Sequence, residues 1–205
     1  MFITFEGMDA SGKTTQIDLL CESLRSKGVD FILTKEPGGT EIGQKIRKIL
    51  LDPENAKLCA KSELLLYLAD RIQHLEEKIR PALKTGKLVL CDRYHDATVA
   101  YQGGGRGLDL SWIESLVEEN ILKPDLTFFF DISPEVSQAR LTKRNEELGM
   151  ELCRMESEDM AFFERIRVGY KTIAATEPKR VVVIDASKDI TTITAEIATH
   201  LSKIL

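Results

Sequence analysis

The chain has 205 residues, of which 43% are apolar and 30% charged, and a net charge of −5. That length buries a full core without disulfides or a structural metal, and the composition is that of an ordinary globular protein, not a disordered or collagenous one. The acidic balance argues against a surface built for nucleic acid or anionic membrane, so an anionic ligand needs a local positive site. The apolar start, Met1 to Glu6, has no basic flank and runs straight into a glycine loop, unlike a signal peptide. The longest apolar runs are too short to span a bilayer. Cys21, Cys59, Cys91 and Cys153 are far apart, and no pair has metal-ligand or redox spacing. Three of them fall in helix-like or strand-like segments, where a buried thiol is the expectation, in a reducing, cytoplasmic compartment.

Along the chain, short β-rich runs alternate with helical patterns. Phe2 to Phe5 reads as the first strand. Gly7-Met8-Asp9-Ala10-Ser11-Gly12-Lys13-Thr14, followed by Thr15, fits G-x-x-x-x-G-K-S/T. Glycines there let backbone N–H groups turn inward around phosphate oxygens, in front of a helix N-terminus. Lys13 is placed for the β- and γ-phosphates of ATP, and the Thr14 hydroxyl for Mg²⁺. The next segment, Lys13 to Lys27, carries Ile17, Leu20 and Leu24 at helical spacing, which is the context the motif requires.

Val29 to Leu33 reads as a second strand, followed by the glycine loop Lys35-Glu36-Pro37-Gly38-Gly39. A long helix is expected from about Ser62, as N-cap, to Leu83, with Pro81 kinking it or ending it early. On it, Tyr67 and Arg71 are four residues apart and share a face. A ring can stack on a base and an arginine can donate to a base carbonyl, but an ordinary Tyr–Arg surface pair fits the spacing equally well.

Lys87 to Cys91 is the third strand, and Asp92 and Arg93 follow at its carboxyl end. A carboxylate there suits Mg²⁺, through water, and an adjacent arginine suits bidentate binding of an acceptor phosphate. A strand-end ion pair is the plain alternative. Tyr101 to Gly107 forms another glycine loop. Leu126 to Phe130 and Arg180 to Ile184 complete five runs whose continuous apolar character suits a parallel sheet covered on both faces. The expectation is therefore one α/β domain over residues 1–205, a three-layer fold with a five-stranded parallel sheet flanked by helices. Its ligands belong at the carboxyl ends of the strands.

The phosphate motif alone does not choose among kinase, GTPase and motor ATPase. The one Lys-x-Asp, Lys123-Pro124-Asp125, leads into a strand and does not suit guanine reading. A compact chain with long helical inserts fits a small-molecule kinase. His74 and His95 fit a helix surface or a polar core without any catalytic part.

Together GMDASGKTT (7–15), KEPGGTEIG (35–43), LYLADRIQHL (66–75), DRY (92–94), YQGGGRG (101–107) and PDLTFFFDISPE (124–135) resemble the thymidylate kinase family over essentially the whole chain. The resemblance implies a P-loop NTPase fold, transfer of the ATP γ-phosphoryl group to dTMP with Mg²⁺, and a homodimer. It implies that Arg93 and Arg47 hold the dTMP phosphate and that Tyr67 stacks on thymine. Arg71, with Thr98 and Gln102, would read the base edge, and Tyr101 would lie under the deoxyribose. Glu36 and Pro37 would shape the acceptor pocket, and Asp9 would face the acceptor sugar. No arginine occupies positions 9–11 of the phosphate loop, as happens in relatives that carry the catalytic arginine in a lid instead. The cation-rich stretch at about 141–155 is the lid by this resemblance. Arg144 is its catalytic arginine, and Arg140, on the ATP side, and Arg154 give support. A solvated, charged helix end is the plain alternative.

Overall fold

The computed structural model describes residues 1–118 and 120–204. Five parallel strands form one sheet in the order β2-β3-β1-β4-β5: β1 Phe2–Glu6, β2 Phe31–Lys35, β3 Leu88–Asp92, β4 Leu126–Asp131 and β5 Val181–Asp185. The central strands β1, β3 and β4 are buried nearly throughout, as their unbroken apolar runs require. The edge strands depart from that expectation. Leu33 on β2 is 45% exposed and Val183 on β5 is 46% exposed, because each strand has a neighbour on one side only.

The connecting helices are α1 Lys13–Ser26, α2 Glu41–Leu51, α3 Ala60–His74, α4 Arg80–Lys84, α5 His95–Thr98, α6 Leu110–Glu118, α7 Pro134–Leu148, α8 Met160–Thr176 and α9 Ile190–Leu201. The second strand starts two residues later than the sequence suggested. Gly28 takes φ 68°, its N–H donates to Arg25 O, and Val29 N–H donates to Leu24 O. Those bonds make Val29 part of a Schellman cap on α1, not strand.

The long helix also differs from its expected form. It begins at Ala60, with Cys59 as N-cap, and Ser62 lies inside the first turn. A π-helical turn at Leu75–Ile79 then widens the helix before α4 restarts with Pro81 in its first turn. The wider turn accommodates a residue that has no N–H and whose ring crowds the carbonyl four positions back. Leu75 and Ile79, both fully buried, anchor the turn.

Of the glycines of YQGGGRG, only Gly107 lies in a loop, at φ 70°. Val99–Gly105 is a π-helical segment continuing from α5, and it packs closely on α8. A Cβ at Gly104 would stand 2.8 Å from Arg165 O, and one at Gly105 would stand 2.6 Å from the Phe162 ring. The glycines let a helix and a helical turn approach backbone to backbone, which carries Tyr101 and Gln102 to the opposite face.

Candidate active site

The phosphate loop leaves β1 at the centre of the sheet, between the ends of β3 and β4. Lys13 opens α1, and its Nζ donates to Gly7 O at 3.0 Å and Met8 O at 2.8 Å. The side chain is 6% exposed. Burial, then the positive charge of Arg93, pushes its amine down to about 8. Thr14 and Thr15 face outward. Asp9 Oδ1 accepts from Arg93 Nη2 at 2.9 Å. Burial is the largest influence on the Asp9 carboxyl and pulls it up, but Arg93, Lys13 and Arg144 outweigh it and hold it below the usual range.

Beside the loop lies a cavity of about 240 Å³. It takes walls from the phosphate loop, the Lys35–Pro37 loop, α2, α3, the end of β3, the α5 region and the segment 153–156. Asp9, Glu36, Pro37, Arg47, Tyr67, Arg71, Arg93, Thr98, Tyr101 and Gln102 all line it. Residues separated by as many as 93 positions in sequence thus converge because their segments leave the same end of one parallel sheet.

Local chemistry fixes these side chains. Arg93 sits at φ 66°, a left-handed conformation that costs about 1–3 kcal/mol in a residue with a side chain. Its N–H donates to Phe5 O at 2.9 Å, and its guanidinium lies 5.2 Å from the centroid of the Tyr101 ring. Nη1 of Arg93 and the Tyr101 hydroxyl are buried and have no hydrogen-bond partner among the described residues. Those two unclaimed polar atoms beside a cavity suit an anionic, hydroxyl-bearing ligand.

Arg71 is 1% exposed, and the protein grips it on three sides. It donates to Glu36 Oε2 at 2.7 Å, to Thr98 Oγ1 at 2.7 Å and to Tyr94 O at 2.8 Å. Glu36 is held in turn by His74, whose other ring nitrogen meets Thr34 Oγ1 at 2.6 Å. His74 is therefore a polar-core histidine that orients the Arg71 partner. Arg47 donates to Pro37 O at 2.9 Å and lies against Gly38, where a Cβ would stand 2.9 Å from Arg47 Cδ. Gly38 has φ 100°, so the position demands glycine twice over.

In the segment that the resemblance gives as the lid, residues 141–148 are the last two turns of α7, which runs unbroken to Gly149, whose φ of 61° ends it. The base of α7 is fastened to the phosphate loop by Ser137 Oγ, which donates to Asp9 O at 2.7 Å. Arg144 lies outside the cavity lining and donates to Glu156 Oε1 at 3.1 Å, with 41% of its side chain exposed. Arg140 is exposed and donates to Ala186 O, beyond β5. Arg154 is 7% exposed and donates to Leu50 O at 2.8 Å and to Glu63 at 2.7 Å. Its two buried partners make it a fastening of the fold.

Asp92 is half-buried at the end of β3, and its Oδ1 has no hydrogen-bond partner among the described residues. It shares a second cavity with Thr14.

Several site residues were not picked out from the sequence. Met155, Glu156 and Cys153 line the cavity from the stretch after α7, which carries no motif. Glu6 ends β1, is fully buried, and accepts from Tyr94 N–H at 2.7 Å and the Tyr170 hydroxyl at 2.9 Å. Burial, then the Asp96 charge, pushes its carboxyl up to about 7 against the pull of Arg93. A glutamate closing an otherwise apolar strand was the available signal. Of the cysteines, Cys21 and Cys91 are buried, Cys153 is half-buried and Cys59 is exposed, so two and not three are fully buried.

Comparison with known proteins agrees with this geometry. The family described as Thymidylate kinase matches residues 5–197. A thymidylate kinase of an Exiguobacterium species is 48% identical over 199 residues, covering 96% of this chain and 92% of that one. One from Desulfosudis oleivorans is 50% identical over 190 residues, covering 91% of this chain and 89% of that one. The crystal structure of thymidylate kinase from Ehrlichia chaffeensis superposes with a TM-score of 0.80 at 38% identity, covering 98% of each chain.

Proposed function

The chain belongs to the thymidylate kinase family, and from that premise we propose that it transfers the γ-phosphoryl group of ATP to dTMP, giving dTDP. One observation carries the assignment of residues: the ten side chains that the family pattern gives to the acceptor line a single cavity that meets the phosphate loop at Asp9. On this reading residues 1–205 act as one kinase domain with a lid at about 141–155.

The donor belongs to Gly7, Met8, Asp9, Ala10, Ser11, Gly12, Lys13, Thr14 and Thr15, with Arg140 on the outer side. Arg93 and Arg47 take the dTMP phosphate. Tyr67 stacks on the base, Arg71, Thr98 and Gln102 face its edge, and Tyr101 closes on the sugar. The acceptor is a phosphate monoester with a second pKa near 6, so at neutral pH it is already nucleophilic and requires no general base. The barrier lies in bringing two anions into line. Catalysis then rests on positioning and on fixed positive charge. Lys13 holds donor oxygens, Arg93 and Arg47 hold the acceptor, and Arg144 faces charge developing on the transferred group.

Mg²⁺ belongs to this reading. The unpartnered Asp92 Oδ1 and the outward Thr14 hydroxyl share a cavity, a donor set that suits a hard cation bound mainly through water and phosphate oxygens. When bound, the ion neutralises charge on the β- and γ-phosphates. A cytoplasmic location also belongs to the reading; all four cysteines are free thiols, and no helix among the described residues is long and apolar enough to cross a membrane.

A homodimer is supported by two apolar stripes. Ile42 and Ile49 on α2 are 49% and 45% exposed, and Leu65 and Ile72 on the adjoining α3 are 50% and 39% exposed. Each pair is seven residues apart and shares a face. Sedimentation analysis gives twice the chain mass at micromolar concentration; a monomer removes this part.

The assignment is tested by coupled-assay turnover of ATP with a panel of monophosphates. dTMP gives the highest kcat/KM, dUMP a lower one and ribonucleotides poor ones. Preference for UMP or AMP overturns the acceptor, and nucleotide binding without acceptor-dependent ADP release makes the protein a nucleotide switch.

A further inference from the structure

Glu63 is fully buried on α3, a helix whose neighbouring turns hold Tyr67 and Arg71 in the acceptor cavity. Its carboxylate gathers three donors from two distant segments. Oε1 accepts from Gln102 Nε2 at 2.8 Å and from Arg106 Nε at 3.2 Å. Oε2 accepts from Arg106 Nη2 at 3.1 Å and from Arg154 Nη1 at 2.7 Å. Burial is the strongest influence on this carboxyl and pulls it up, but the bonds from Arg106, Gln102 and Arg154 outweigh it and hold it below the usual range. It is therefore an anion at neutral pH.

An ionised carboxylate only accepts hydrogen bonds. The end of the Gln102 amide that meets it must be the NH₂ group, which settles the orientation on chemical grounds. The carbonyl oxygen Oε1 is left as the other end, with no hydrogen bond among the described residues, on a residue that lines the acceptor cavity. The same carboxylate, through Arg154, fastens the segment whose Cys153, Met155 and Glu156 line the same cavity.

We infer that Glu63 is a positioning residue that sets the polarity of base recognition: it locks Gln102 with its carbonyl toward the acceptor and, through Arg154, fixes the 153–156 wall of the cavity. The inference rests on the dTMP reading and deepens it. A base with an N–H at its ring edge, as thymine has at N3, pairs with that carbonyl. Cytosine, whose N3 carries a lone pair, meets an oxygen lone pair instead, and the locked amide cannot turn over to accommodate it. With glutamine at position 63, the facing group both donates and accepts, so the Gln102 amide is free to rotate and to present NH₂ to cytosine.

The experiment measures kcat/KM for dTMP and for dCMP at saturating ATP, with melting temperatures, in the parent and in Glu63→Gln. The dTMP-to-dCMP ratio falls about tenfold or more in the variant, the scale of one mispaired buried hydrogen bond, while KM for ATP stays at the parent value. Arg106→Lys is the structural control. It disturbs another Glu63 partner, lowers the melting temperature and leaves the ratio unchanged. A folded Glu63→Gln protein that loses both activities equally, keeping the parent ratio, overturns the inference. If Glu63→Gln does not fold, Glu63→Asp takes its place. That change keeps the charge for the arginines but withdraws the carboxylate from Gln102, and an unchanged ratio in the folded variant is equally fatal. A parent protein inactive on dTMP refutes the functional reading instead, before any variant is compared.

Discussion

Lys13→Ala lowers kcat/KM for ATP by about 10³, the scale of losing one charged, preorganised donor at a phosphoryl group, and leaves the fold intact. The second half of that expectation comes from the amine itself. Its displacement from 10.5 to about 8 means that the folded, ligand-free protein disfavours the charged form. A gap of that size corresponds to a cost on the order of 3 kcal/mol at neutral pH. The carbonyls of Gly7 and Met8 supply part of the solvation that burial removes. Alanine at the first position of α1 removes the buried charge and favours the helix. The unliganded variant therefore melts no lower than the parent. What it loses is the rise in melting temperature that ATP and Mg²⁺ give the parent, because the phosphates are the partners that offset the cost of the buried amine. Thermal denaturation with and without nucleotide, alongside steady-state kinetics, reads both effects. Near-parent turnover in a folded variant removes Lys13 from the donor site.

Where the sequence was legible, the signal was local. The phosphate loop is a strand end, a fixed glycine spacing and a helix start within fifteen residues, and the structure reproduces all three. The central strands were readable because burial on both faces leaves an unbroken apolar run. The acceptor cavity was readable because Glu36, Arg93 and their neighbours lie in short motifs at strand ends.

Features that depend on distant partners were not legible. Nothing near Gly103 to Gly105 separates a turn from a π-helical segment; the choice is made by α8, whose backbone and Phe162 ring occupy the space a Cβ would take. Arg154 looks like any lid cation until Glu63 and Leu50 are found beside it. Glu63 is the extreme case. A glutamate in a helix reads as solvent-facing, and this one is buried only because Gln102, Arg106 and Arg154 arrive from 39, 43 and 91 residues away.

The three arginines of the lid-like segment separate by the company they keep. Arg140 faces solvent and meets a single carbonyl beyond β5. Arg154 holds a buried carboxylate, so Arg154→Ala strands the Glu63 charge and acts first on stability. Arg144 is placed differently. It rides on α7, whose base is tied to Asp9 O through Ser137, and its charge is one of those that hold the Asp9 carboxyl down. Its main acidic partner, Glu156, lines the acceptor cavity, so an exchange of that partner for a phosphoryl oxygen is local. With no arginine at Asp9, Ala10 or Ser11, compensating charge for the transferring group has to come from outside the loop. Arg144→Ala therefore lowers kcat and kcat/KM together, by about 10³, the lower end for an arginine acting in phosphoryl transfer. KM for ATP and dTMP changes little, because the interaction develops only in the transition state. The melting temperature also changes little, since the Glu156 pair is solvent-accessible on the arginine side. Arg154→Ala shows the opposite pattern, a lower melting temperature with a smaller loss of kcat in the fraction that remains folded. A kcat loss confined to Arg154→Ala, at the parent melting temperature, would transfer the catalytic part to that residue. Undiminished kcat in Arg140→Ala, Arg144→Ala and Arg154→Ala alike would mean that Lys13 and Arg93 suffice for the transferring charge.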